Sequence, residues 1–270
     1  MTGKKMAVCY DSQSCIKCFA CVTNCAVENR VRLQNDLNIS VERTMTESLP
    51  HYNYLTVKHS EKGTFPNVLS VTALEHCRHC QYPKCMEICP AEAISKRDTG
   101  AVVIDKNKCV GCQSCVDACP YDIPVFDKES GKPYKCVMCS DRLEDGLPTA
   151  CAAACPSVAI FCGTVEDVKN EAIKRAAHYE EVFGKKFIVY GAHKVNNQVG
   201  ELSYMTIAPE ENREEYIMPE DPVSGVSVAR DVIKVAGLVG IGASAAAVAI
   251  HTAHWKKNKS GSVYDHKDEE

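Results

Sequence analysis

Cys109-Val-Gly-Cys112-Gln-Ser-Cys115-Val-Asp-Ala-Cys119-Pro120 is the stretch whose reading decides the fold. It is a C-x2-C-x2-C-x3-C-P run. Three thiolates two residues apart wrap one face of an iron–sulfide cubane. The fourth lies a helical turn further on and serves a second cubane. The run therefore demands a partner that sends a cysteine back. A disulfide framework is a poor account, because bridged Cα atoms lie about 5.5 Å apart, and four cysteines within eleven residues cannot all pair that way. Zinc sites use C-x2-C pairs well separated in sequence, not a third cysteine at the same spacing.

Three further runs supply the partners: Cys15-x2-Cys18-x2-Cys21-x3-Cys25, Cys77-x2-Cys80-x4-Cys85-x3-Cys89-Pro90, and Cys136-x2-Cys139-x11-Cys151-x3-Cys155-Pro156. The exchange rule gives one cluster on Cys77, Cys80, Cys85 and Cys119, and another on Cys109, Cys112, Cys115 and Cys89. The flanking runs give Cys15, Cys18, Cys21 and Cys155, then Cys136, Cys139, Cys151 and Cys25. The expected fold class is α+β: two bacterial 2[4Fe–4S] ferredoxin-like modules, one inserted in the other. Residues 1–70 and 130–207 form the outer module and 71–129 the inserted one. "Cys-Pro, a few small residues, Ile" recurs as Cys89-Pro-Ala-Glu-Ala-Ile94 and Cys155-Pro-Ser-Val-Ala-Ile160, the mark of internal duplication.

Composition agrees. Eighteen cysteines among 270 residues is far above ordinary usage, and thiolate ligands require a reducing environment while clusters are loaded. A net charge of −4, with no basic stripe interleaved with aromatics, excludes nucleic acid as a partner. Met1 to Tyr10 holds two lysines but no apolar h-region and no twin arginine, so no signal peptide is expected. There is no Ser/His/Asp set, phosphate loop or framed carboxylate pair, so no catalytic residues are assigned.

Around the runs, residues 6–10 read as a strand, and Val27 to Arg32 continue a helix onto the surface. Alternation at Tyr52–Lys58 and Val68–Thr72 predicts strands. Pro83 predicts a turn rather than a helix before Cys85. The insert Ser140–Ala150 reads as a solvated loop, with a subunit-facing surface as the alternative. Thr164-Val-Glu-Asp167 is a capping-box-like start. Val165, Val168, Ala172, Ala176 and Val182 carry a helix from there to Gly184. Lys186–Tyr190 and Glu201–Ile207 read as strands, and 208–228 as an extended linker lying on a surface.

Val235 to Trp255 is apolar over about the length a bilayer needs and free of Asp, Glu, Lys and Arg. A single transmembrane helix over 229–257 and a polar tail over 258–270 are therefore expected, with a buried helix as the alternative. Ala236, Gly240 and Ser244 give it a small-residue stripe. Arg230 and Lys234 precede the span, and Lys256, Lys257 and Lys259 follow it. That bias leans to a cytoplasmic C-terminus and a periplasmic cluster domain, the opposite side staying open. His251 and His254 are read as interfacial residues, with contact to haem or quinone as the alternative. Gly240-Ile-Gly-Ala-Ser-Ala245 matches a dinucleotide fingerprint, but no strand precedes it. Cys9 and Cys162, outside the runs, read as core thiols. His76 and His79 read as exposed loop residues, with tuning of a cluster as the alternative.

The four runs, their order, the x4 and x11 irregularities and the three Cys-Pro steps resemble the electron-transfer subunit of membrane-bound molybdopterin oxidoreductases. The family includes iron–sulfur subunits of formate dehydrogenase, of dimethyl sulfoxide, polysulfide and tetrathionate reductases, and of some membrane hydrogenases. The resemblance covers about residues 6–165. In several members one cysteine of the third run is aromatic; all sixteen are present here, which implies four [4Fe–4S] clusters. Glu201-Leu-Ser-Tyr-Met205, Met218-Pro-Glu-Asp-Pro222 and the apolar tail are similar to the formate dehydrogenase and hydrogenase type. The resemblance implies a non-catalytic relay in anaerobic respiration. It would stand between a catalytic molybdopterin or hydrogenase subunit and an integral membrane cytochrome b or quinone-binding subunit. A reductase subunit and a scaffold polyferredoxin are the rival readings.

Overall fold

The computed structural model describes residues 4–37 and 53–236. The chain divides into two units, Met1–Pro222 and Val223–Glu270. The first is a mixed α/β body. Its central sheet runs β8 (Ile160–Thr164), β1 (Met6–Asp11), β10 (Tyr204–Pro209), β9 (Phe187–Tyr190). β1 lies parallel to β10, with Val8 opposite Tyr204, and antiparallel to β8. β9 is antiparallel to β10.

Strand alternation splits this sheet into two faces. Ala7 and Cys9 point to one face, where Val168, Ala172 and Ala176 of helix α6 (Val165–Phe183) cover them. Val8 and Tyr10 point to the other, into the core that carries the cysteine runs. Ala7 and Ala172, both fully buried, let helix and sheet approach closely. α6 begins where the Thr164 side chain accepts from the Asp167 amide (3.2 Å). Acidic Glu166 and Asp167 occupy its positive end. It ends at Gly184, whose φ of +63° closes the last turn. Arg175 and Tyr179 tie it to the fully buried Asp11 at the end of β1, at 3.2 and 2.7 Å.

Under the second face lie α1 (Ala20–Leu37), the ladder of β2 (Thr56–Thr64) and β3 (Asn67–Glu75), and four short helices: α2 (Lys84–Glu87), α3 (Ser114–Asp117), α4 (Ser140–Glu144) and α5 (Ala150–Ala153). Two small hairpins, β4 (Ile94–Lys96) with β5 (Val102–Ile104) and β6 (Val125–Asp127) with β7 (Lys132–Tyr134), complete the body. α1 turns Cys25, Asn29, Leu33 and Leu37 inward at helical spacing.

Several expectations need correction. Val182 is 58% exposed: six residues past Ala176 it has rotated off the buried face, and Tyr179 packs there instead. The insert Ser140–Ala150 is not a free loop. Leu143 enters the core, Arg142 pairs with Glu28 at 3.0 Å, and Arg32 bonds Asp141, so the insert is clamped to α1. The stretch after β10 is not a surface linker either, since Tyr216 and Met218 are buried. Its Pro, Glu and Asp content conceals two apolar anchors. Residues 81–83 make the turn expected before Cys85, and α2 starts directly after Pro83. The first strand of the ladder falls at 56–64, later than the alternation at 52–58 suggests.

In the second unit, Gly225–Ala236 forms helix α7. No helix among the described residues is long and apolar enough to cross a membrane. The apolar span to Trp255, with His251 and His254, lies outside the described residues beyond Ala236.

Removing the Thr164 cap (Thr164→Ala) should cost about 1 kcal/mol. Leu33→Ala should cost about 2–5 kcal/mol, because Leu33 is 1% exposed. Val182→Ala should be close to neutral. Thermal melts of the loaded protein check the ranking, and a Val182 loss as large as that at Leu33 would contradict the packing of α6.

Candidate metal centres

The sixteen cysteines of the runs line four cavities. Cys15, Cys18, Cys21 and Cys155 surround one; Cys25, Cys136, Cys139 and Cys151 a second; Cys77, Cys80, Cys85 and Cys119 a third; and Cys89, Cys109, Cys112 and Cys115 a fourth. Each holds three cysteines of one run and one of another. These are the same groupings as the exchange rule writes. Apolar side chains such as Leu74, Ile94, Ile104 and Ile123 fill much of the remaining wall.

One local geometry recurs in every run. The residue before the second cysteine is left-handed: Lys17 (φ +57°), His79 (+47°), Gly111 (+72°) and Met138 (+53°). That torsion is costly for L-residues other than glycine, and such strain gathers at functional sites. Here it curls the loop around the cavity. His79 and Met138 turn their amides onto the sulfurs of the preceding cysteines, Cys77 Sγ (3.5 Å) and Cys136 Sγ (3.3 Å). At Gly111 a Cβ would meet the Gly131 carbonyl oxygen at 2.2 Å, so this position alone of the four requires glycine. After the three Cys-Pro steps, Glu92, Asp122 and Val158 are also left-handed. There the amides of Ala93 and Ile160 donate to Cys89 Sγ and Cys155 Sγ, both at 3.3 Å. The third cysteine of each run sits on a helix (α1, α2, α3 or α5), and the fourth follows one turn later.

The donor sets fit an iron–sulfur cubane. All eighteen thiols are free. Among the described residues no group of three or more His, Cys, Asp or Glu converges on one metal ion. Sulfurs around one zinc, at about 2.3 Å from it, would stand less than about 4 Å from one another; a cubane spreads them wider. Burial pushes the thiols up, to about 12 at Cys21 and Cys115 and to about 11 at Cys85 and Cys151. Such sulfurs give up their protons only to a cationic centre. Cys112, near the surface, is lowered instead, through its contact with Ser114.

Several neighbours were not legible from spacing. His76 and His79, expected at the surface, are 1% and 0% exposed. Burial holds both imidazoles well below the usual histidine range, so they are neutral. His79 Nδ1 accepts from the Val102 amide (2.9 Å). His76 stacks on Tyr204 with ring centroids 3.4 Å apart, and both line the Cys25/Cys136/Cys139/Cys151 cavity. Asn29 donates to Cys25 Sγ at 3.6 Å; its i+4 spacing from a helical cysteine of the first run was the available signal. Lys135 is 4% exposed beside Cys136. Burial opposes its charge, but the sulfurs of Cys77, Cys85, Cys136 and Cys119 hold it above the ordinary lysine range. Cys9 lies under α6, and Cys162 is partly buried on β8; neither lines any of the four cavities.

A family model described as a 4Fe-4S dicluster domain matches residues 70–165. A sulfite dehydrogenase subunit of Allochromatium vinosum is 34% identical over 187 residues, 65% of this chain and 77% of that one. The formate dehydrogenase iron-sulfur subunit of Haemophilus influenzae is 29% identical over 272 aligned residues, 98% of this chain and 85% of its own. A tetrathionate reductase subunit of Salmonella typhimurium is 34% identical over 163 residues, 60% of this chain, and here the match spans only 59% of the relative.

Alkylation at neutral pH should leave Cys9 unmodified in the native protein. It is fully buried and its thiol is raised by burial, so little thiolate exists to react. Peptide mapping should find Cys9 labelled only after unfolding; rapid native labelling would contradict its place beneath α6.

Proposed function

The chain belongs to the iron–sulfur subunits of the molybdopterin oxidoreductases, and from that premise we propose that it is an electron-transfer subunit carrying four [4Fe–4S] clusters. One observation carries the count: sixteen cysteines lie as four sets of four, each closed by a sulfur from a different run. The ligands are Cys15, Cys18, Cys21, Cys155; Cys25, Cys136, Cys139, Cys151; Cys77, Cys80, Cys85, Cys119; and Cys89, Cys109, Cys112, Cys115. When bound, the clusters supply one-electron transfer at potentials set by burial, nearby charge and hydrogen bonds to sulfur. The chain's own residues do the rest. The left-handed residues aim sulfurs inward, amides of His79, Ala93, Met138 and Ile160 soften the charge on sulfur, and apolar walls exclude water. The repeated run, one-turn helix and hairpin support two ferredoxin-like modules, 71–129 inserted between 1–70 and 130–207.

In this reading electrons pass between a catalytic molybdopterin or hydrogenase subunit and a membrane cytochrome b or quinone-binding subunit. The formate dehydrogenase type is favoured because that relative aligns over nearly the whole chain, tail included. A sulfur-compound oxidoreductase is the second reading, supported by the 34% identity to the sulfite dehydrogenase and tetrathionate reductase subunits. The tail from 229 to 257 is proposed as a single membrane anchor, with the cluster body on the periplasmic side.

Metal analysis of the fully loaded protein should find about sixteen irons per chain on four cubanes; eight or fewer would sink the count. Deleting residues 229–270 should release the chain from membranes without detergent. Protease should reach the exposed 144–148 stretch in spheroplasts but not in inverted vesicles. A full-length chain that washes off without detergent defeats the anchor, and the reverse protease pattern defeats the side.

A further inference from the structure

The four cavities differ in charge. The Cys77/Cys80/Cys85/Cys119 cavity is lined by Arg78 and Lys135, which are 2% and 4% exposed. Arg78 donates to Thr206 Oγ1 (2.7 Å) and to the carbonyls of Ile217 (2.9 Å) and Tyr216 (3.5 Å). Its guanidinium carbon lies 6.0 and 5.8 Å from the ring centroids of Tyr121 and Tyr190. Lys135 Nζ donates to the carbonyls of Val102 and Cys136. Every one of these partners is neutral, and among the described residues no carboxylate contacts either cation. A third lining cation, Lys84, is already paired with Glu87.

Among the described residues the other cavities lack this feature. The Cys89/Cys109/Cys112/Cys115 cavity has no charged side chain among the described residues of its wall; Lys106 stands behind the Pro133 carbonyl and faces Asp36 as well as Cys109 and Cys115. The Cys25/Cys136/Cys139/Cys151 cavity is lined by Asn29 and neutral His76. The Cys15/Cys18/Cys21/Cys155 cavity has only Lys17, whose ammonium bonds Ser70 at an exposed edge. A buried cation without an anion costs several kcal/mol. Two beside one cavity imply that the anion belongs inside it. A thiolate-ligated cubane is such an anion, a dianion when oxidised and a trianion when reduced, so cations beside it favour the added electron. Lys135 also holds the carbonyl of Cys136, a wall residue of the next cavity.

We propose that Arg78 and Lys135 are positioning residues that make the Cys77/Cys80/Cys85/Cys119 site the highest-potential centre of the chain, with Lys135 acting also on the Cys25/Cys136/Cys139/Cys151 site. This rests on the four-cluster reading. The electron arrives from a neighbouring centre and leaves to another; no bond forms or breaks, and both cations keep their protons. The relay therefore contains an electron-holding site rather than an even slope.

An EPR-monitored redox titration of the loaded full-length chain tests this, comparing wild type with Lys135→Gln, Lys135→Arg and Arg78→Gln. In Lys135→Gln the highest midpoint should fall by about tenfold in the equilibrium constant for reduction, about 59 mV for one electron. A second midpoint should fall less, and two should stay. Lys135→Arg should restore the wild-type pattern, and Arg78→Gln should lower the highest midpoint alone. A fully loaded Lys135→Gln with four unmoved midpoints, or with all four shifted equally, overturns the assignment. If Lys135→Gln fails to load iron while Lys135→Arg loads, the need for the charge is upheld; if both fail, the role is shape and the proposal falls. A wild-type chain short of about sixteen irons fails the four-cluster reading itself, whereas full iron with unmoved midpoints fails only the cations.

Discussion

Everything in this body depends on how a run of cysteines faces two ways at once. Three sulfurs must close round one cavity while the fourth, a helical turn on, is delivered to another. The backbone can do this only by turning left-handed before the second cysteine, as it does at Lys17, His79, Gly111 and Met138. The consequence is topological. Cys155 closes the cavity of Cys15, Cys18 and Cys21, and Cys25 closes that of Cys136, Cys139 and Cys151. Segments of the chain that are far apart in sequence are thereby pulled beneath one sheet. The hairpins β4–β5 and β6–β7 have only three residues per strand, too little to stand alone. They are held by the loops that wrap the cavities.

Burial sets the electrostatics. Thiols taken from water are raised, neutral imidazoles are kept neutral, and two cations are left facing sulfur with no carboxylate among the described residues. In a water-poor interior each of these groups acts over longer range than it would at the surface. The same wall residues that exclude solvent thus decide where charge is tolerated. The sheet's other face contributes none of this. It carries α6, and Cys9 there is a small buried side chain packed under helical alanines.

Much of this was legible in the residues. A strict C-x2-C-x2-C-x3-C spacing has few physical solutions, and the Thr164 cap and the Gly184 stop announce α6 at both ends. What escaped was what spacing does not encode. His76 and His79 lie among polar residues in the sequence, yet both are sealed beneath the sheet, His76 by stacking on Tyr204. Lys135 reads as an ordinary surface lysine, because only the packed fold brings Cys77, Cys85 and Cys119 beside it. Tyr216 and Met218 disappear in an acidic, proline-rich stretch, though Arg78 bonds the carbonyls beside them. Val182 was misplaced by treating a run of apolar residues as one stripe, when six positions past Ala176 the helix has turned away.

The lending of each last sulfur to a different run also fixes an order in time. A chain leaving the ribosome exposes its N-terminus first. The cysteine sets of the two inner cavities are complete once Cys119 has emerged. By contrast, Cys15, Cys18 and Cys21, made at the outset, stay open on one side until Cys155 arrives. The earliest-made of the cavity thiols are the last to be enclosed, and through that interval they stand bare to oxygen and to stray metal.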